Sequence, residues 1–138
     1  MPGDGSCPVA AARQVHPAFG PAAGPGPVYP ITGGSGPGFF PPLTATAGEY
    51  SKAKVLWVID SQRYGGPVLI RGARMDGADP VRFEEGQDEM FLPAGAAGAW
   101  APGSDWPNWP SYTLARVKGC YAWQVDGQDF SYTIVFRG

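Results

Sequence analysis

The residues of this 138-residue chain best suited to chemistry are three tryptophans close together, Trp100, Trp106 and Trp109. They sit in the run Trp-Ala-Pro-Gly-Ser-Asp-Trp-Pro-Asn-Trp-Pro, where Pro102, Pro107 and Pro110 stiffen the backbone. Aromatic rings on a rigid loop form a platform for flat apolar ligand faces, sugar rings included, and for protein hot spots. Asp105 and Asn108 lie between the rings and can supply polar contacts, and Tyr112 adds a further ring. Trp100, Asp105, Trp106, Asn108, Trp109 and Tyr112 are therefore the candidate ligand-binding residues. The competing reading is that the rings fold back and seal one open end of a small domain.

Other chemistry is thin. The single histidine, His16, lies in a Pro/Gly-rich stretch and reads as an ordinary exposed side chain rather than a general base. Asp60 and Asp105 read as turn residues, not as a carboxylate pair for glycoside hydrolysis. Gly33-Gly34-Ser35-Gly36 precedes no helix pattern, so it is linker chemistry and not a phosphate cradle. Six acidic residues fall between Asp76 and Glu89, but without the spacing of a calcium loop. The expectation is a chain with no catalytic residues, no metal and no cofactor.

With 10 basic and 12 acidic residues the net charge is −2, and no basic run is present. A nucleic-acid partner is not expected. The two cysteines, Cys7 and Cys120, stand near opposite ends of the chain without Cys-x-x-Cys spacing, which argues against zinc and redox-pair chemistry. Separate free thiols and one disulfide both fit. A bridge closing so long a loop is worth about 4–5 kcal/mol in the chain-entropy model. The disulfide is the expectation, and with it an oxidising compartment. No apolar core of a signal peptide follows Met1, and no stretch approaches membrane-spanning length. The chain reads as a mature secreted or cell-surface form and as a monomer.

The elements that must position these residues follow from Gly and Pro usage. The chain has 21 Gly and 16 Pro, and residues 1–42 hold 9 and 10 of them. This divides it into a Pro/Gly-rich leader, residues 1–42, and a β domain, residues 43–138. Val28-Tyr29-Pro30-Ile31 and Phe39-Phe40 are larger and more apolar than a linker needs, so the leader is expected to dock partly, with an edge strand among its options. Strands are expected over 54–60, 68–74, 81–83, 89–92, 112–117, 120–125 and 130–136, with Gly72 marking a bulge and 93–110 a long loop. Asp126-Gly127 turns the last two strands into a hairpin, with Tyr121, Trp123 and Val125 on one face and Tyr132, Ile134 and Phe136 on one face. No sustained helical period is present. The fold class is all-β, an antiparallel immunoglobulin-like β-sandwich of about seven strands, with an open barrel as the alternative.

Several motifs carry a family resemblance: Cys7-Pro8, Val55-Leu56-Trp57, Gly66-Pro67-Val68-Leu69-Ile70-Arg71-Gly72, Trp106-Pro107, Trp109-Pro110-Ser111-Tyr112-Thr113, Gly119-Cys120-Tyr121-Ala122-Trp123-Gln124-Val125-Asp126-Gly127, Phe130-Ser131 and Ile134-Val135-Phe136. Together they resemble a group of uncharacterised secreted bacterial proteins made of one β-sandwich domain behind a signal peptide or lipoprotein leader. The likeness covers roughly residues 53–138 and the leader only through Cys7-Pro8. It implies a fold and a compartment and no activity. The functional expectation is a non-catalytic secreted or cell-surface module, binding or structural, with a surface glycan or a protein as partner. Its alternatives are a carbohydrate-binding module on the Trp100/Trp106/Trp109 loop and a small hydrolase.

Overall fold

A computed structural model describes residues 7–31, 51–78, 80–93, 106–116 and 119–137. Among them there is no helix; ten strands form two antiparallel sheets, a β-sandwich. In chain order the strands are β1 (Ala12–Arg13), β2 (Ala22–Ala23), β3 (Val28–Ile31), β4 (Ser51–Ile59), β5 (Val68–Arg74), β6 (Arg82–Phe83), β7 (Glu89–Leu92), β8 (Asn108–Ala115), β9 (Cys120–Asp126) and β10 (Ser131–Arg137). The larger sheet runs β1-β2-β3-β4-β8-β6 and the smaller β10-β9-β5-β7. The seven strands from residue 51 onward are the expected set, and the N-terminal segment adds three short ones.

Alternation builds the core. In β4, Val55, Trp57 and Ile59 point between the sheets; in β9, Tyr121, Trp123 and Val125 meet them from the other side, with Ile134 and Phe136 of β10. Trp57 and Trp123 meet edge to face at 5.3 Å, and Phe136 stacks on Trp123 at 3.9 Å. The indole N–H of Trp123 donates to Thr113 Oγ1 at 3.2 Å. That of Trp57 is buried with no partner.

Two differences from the sequence reading have clear causes. Strand β8 begins at Asn108, so residues 108–110, expected in a loop, lie in the sheet. Ile59 N–H donates to Pro107 O, which makes the odd-numbered residues of β8 the ones hydrogen-bonded to β4. Pro110 is thus a non-bonded partner of Leu56, and its missing N–H faces the side where β6 pairs only at Thr113 and Leu114. Gly72 makes no bulge, because the β5–β9 register runs unbroken through Gly72↔Trp123. A Cβ there would come within 2.8 Å of Val81 Cγ1, so the glycine makes room for a core neighbour. The N-terminal segment, expected to dock partly with an edge strand among its options, adds β1, β2 and β3 to the larger sheet, with β1 at its edge.

The N-terminal segment also closes one side of the sandwich. Cys7 is bonded to Cys120 at the start of β9, with 5.6 Å between the α-carbons. Ala10 N–H donates to Val135 O of β10, and the chain then crosses to β1 in the other sheet. Tyr132 of β10 reaches back, its hydroxyl donating to Val28 O at 2.7 Å and accepting from Val28 N–H at 3.0 Å. Gly24, with φ +92°, packs so closely on Ile134 that a Cβ would lie 2.7 Å from its Cδ1.

Candidate functional site

The outer face of the larger sheet carries the candidate residues. Register places Tyr29, Val58 and Asn108 in one row, Ile31, Leu56 and Pro110 in the next, and Lys54 beside Tyr112 in a third. The first row is roofed by aromatic rings. Trp106 stacks on Tyr29 with centroids 6.1 Å apart and planes 7° from parallel. His16 approaches the same indole at 4.7 Å, and Phe19 at 6.5 Å.

A local turn sets these rings in place. His16 Nδ1 accepts from Ala18 N–H at 3.0 Å, and His16 O accepts from Phe19 N–H at 3.2 Å. The chain therefore reverses tightly and directs Phe19 onto the sheet, where it is buried with Ala22, Tyr29, Ile31 and Val58. His16, read from sequence as an ordinary exposed side chain, is the organiser of this turn.

Beside the roof the sheet surface opens into a concave pocket of about 360 Å³. Phe19, Ile31, Leu56 and Pro110 give it apolar walls, and Asn108 and Lys54 are its polar side chains. Its volume falls at the lower end of small-molecule sites, and its apolar walls with few polar groups match their usual make-up. Asn108 is 1% exposed. Its Nδ2 lies 3.5 Å from Trp106 O as a donor, and its Oδ1 is buried without a hydrogen-bond partner. Reversing the amide would set two acceptors against each other, so the backbone carbonyl fixes which atom is left over.

The six candidate ligand residues have different places. Trp106 is 8% exposed beneath His16 and Phe19. Trp109 is half-buried against the core between the sheets. Asn108 lines the pocket, and Tyr112 is 43% exposed across from Lys54. Trp100 and Asp105 lie outside the described residues. Trp106 and Trp109, three positions apart and so of opposite parity in an extended chain, serve two different apolar layers. Sequence reasoning passed over Lys54, Leu56 and Phe19, whose only signal was that Lys54 and Leu56 fall on the face of β4 opposite Trp57.

Displaced ionisations elsewhere are tied to structural bonds. The Ser131 hydroxyl donating at 2.5 Å, with Gln124 and Arg71 adding, holds the Asp126 carboxyl below its ordinary range against the opposing effect of burial. Arg74 does the same for Asp76, which also accepts from Cys120 N–H and so steadies the strand start that carries the disulfide. Burial pushes the Tyr132 hydroxyl up to about 12. Asp88 pairs with Arg82. Among the described residues no three His, Cys, Asp or Glu side chains gather where they could hold a metal. No helix among them is long and apolar enough to cross a membrane. Comparison with protein-family models, curated proteins and solved structures gives no match.

Proposed function

We propose that this protein is a non-catalytic, immunoglobulin-like binding module that works outside the cytoplasm, on the cell surface or secreted, as in the bacterial group its motifs resemble. The observation that carries the compartment is the Cys7–Cys120 disulfide, since such bonds persist in oxidising surroundings. The immunoglobulin-like reading rests on strand order. Counting from β3 and leaving β7, an extra edge strand on β5, out of the count, the two sheets run first-second-fifth-fourth and seventh-sixth-third, the pairing of an immunoglobulin sandwich. Trp57 and Trp123 touch across the sheets between the second and sixth strands, where antibody domains carry their bridge, and Tyr121 precedes Trp123 by two residues.

The non-catalytic reading is supported by the ionisable groups. Asp76 and Asp126 are moved down and Tyr132 up, all away from the neutral range in which a general acid or base works best. The binding face is the outer surface of the larger sheet, because there an apolar pocket and an unpartnered buried acceptor coincide. A sugar platform on Trp100, Trp106 and Trp109 would need Trp106 open to solvent, and the rings around it work against that reading. Two experiments test the proposal. Thiol trapping in cells that make the protein should find both cysteines oxidised, and a reduced pool would contradict the compartment. A screen of ester and glycoside substrates should show no turnover, and a hydrolysed substrate would restore the hydrolase alternative.

A further inference from the structure

We propose that the pocket on the outer face of the larger sheet binds a small amphipathic carboxylate, with an apolar or aromatic body and a hydroxyl or N–H at its far end. The inference deepens the binding-module reading and rests on it. Three features of the pocket define this ligand.

The walls set the body. Phe19, Ile31, Leu56 and Pro110 offer no side-chain hydrogen bond, so a ligand with polar groups all round, such as an unmodified sugar, would leave many of them unpaired. The inner polar group sets one end. Asn108 lines the pocket and its Oδ1, closed to solvent, has no partner; turning the amide so that this oxygen meets a ligand donor would remove that standing cost. The outer polar group sets the other end. Lys54 is exposed, lines the same pocket and belongs to none of the ion pairs among the described residues. Its ammonium favours an anion at the rim, where a charge-assisted hydrogen bond is possible without full burial of either charge.

Spacing fits one small molecule. Lys54 and the β4 partner of Asn108, Val58, are four residues apart on one strand, roughly 13 Å between α-carbons. The lysine side chain can lean back along the pocket and shorten that span to the length of a substituted aromatic acid. Tyr112, register partner of Lys54, extends the surface at the same end with an exposed ring.

The test uses the full disulfide-bonded chain and three probes: 4-hydroxyphenylacetate, phenylacetate and 4-hydroxyphenylacetamide, each titrated by NMR. The hydroxy acid should bind with a Kd of roughly 1 mM or tighter and shift the signals of Leu56, Asn108 and Tyr112. Removing the carboxylate, or replacing Lys54 by Ala, should weaken binding about tenfold, and Lys54→Arg should restore it. Removing the hydroxyl should weaken it about fivefold. Equal affinity for acid and amide, indifference to Lys54→Ala, shifts confined to another surface, or no saturable binding would each overturn the site. Binding accompanied by chemical change of the probe would support the pocket while contradicting the non-catalytic reading. Failure of all probes would remove the pocket and leave the disulfide-linked module as it stands.

Discussion

Single atoms separate residues that look alike in the sequence. Trp57 and Trp123 are both fully buried, but only Trp123 has its indole N–H paired, to Thr113. Trp123→Phe loses that bond and strands the Thr113 hydroxyl, whereas Trp57→Phe also removes an unsatisfied donor. Both variants leave a void, so both should be destabilised, with Trp123→Phe the worse by about 1–2 kcal/mol in urea unfolding. Tyr132 gives a pH signature. Its folded-state pKa is raised from an ordinary 10.0 to about 12, so its contribution is complete below about pH 10 and is lost as pH rises through 12. Stability should therefore fall across that alkaline window. Tyr132→Phe should be less stable at neutral pH, having lost both bonds to Val28, and flatter between pH 10 and 12. None of this was legible from residue type: two tryptophans and a tyrosine on alternating strands announce burial, not which polar atom finds a partner.

At the scale of elements, legibility followed local pattern. The β9–β10 hairpin stands where alternation and Asp126-Gly127 placed it, and β5 matches its expected span of residues 68–74. The start of β8 was hidden because Pro107 and Pro110 read as loop; only the register against β4 shows that Pro110 occupies a position needing no N–H. Gly72 was misread for a related reason. Its neighbour Val81 is nine positions away and packs on it from a separate segment, so the sequence marks a glycine without saying what fills the space. Gly72→Ala should drive a Cβ into Val81 and cost about 1–3 kcal/mol, seen as a lower denaturation midpoint with an unchanged slope. An unaltered midpoint would show that Val81 gives way freely.

At the scale of the whole molecule, the Gly and Pro residues between Cys7 and Ile31 serve a folded structure. Between Cys7 and Ile31 the chain is bonded to β9, runs along β10, crosses the open side of the sandwich and supplies three strands. It also provides Phe19 and Ile31, two walls of the pocket, against Lys54, Leu56, Asn108 and Pro110 from far along the chain. That assembly was not legible, since the pocket belongs to no contiguous motif. The tryptophan run drew attention to β8, where Asn108 rather than the rings belongs to the proposed site. Reducing the disulfide should lower stability by up to about 4–5 kcal/mol through loop entropy and loosen the segment it anchors. The central claim, that residues 7–31 are a working part of the sandwich and not an attached leader, is tested most directly by amide hydrogen exchange of the oxidised protein. Tyr29 and Ile31, hydrogen-bonded across to Val58 and Leu56 in the register of β3 and β4, should be protected as strongly as the amides of β4. Exchange at the rate of an unstructured chain at those two residues, with β4 and β9 protected, would contradict it.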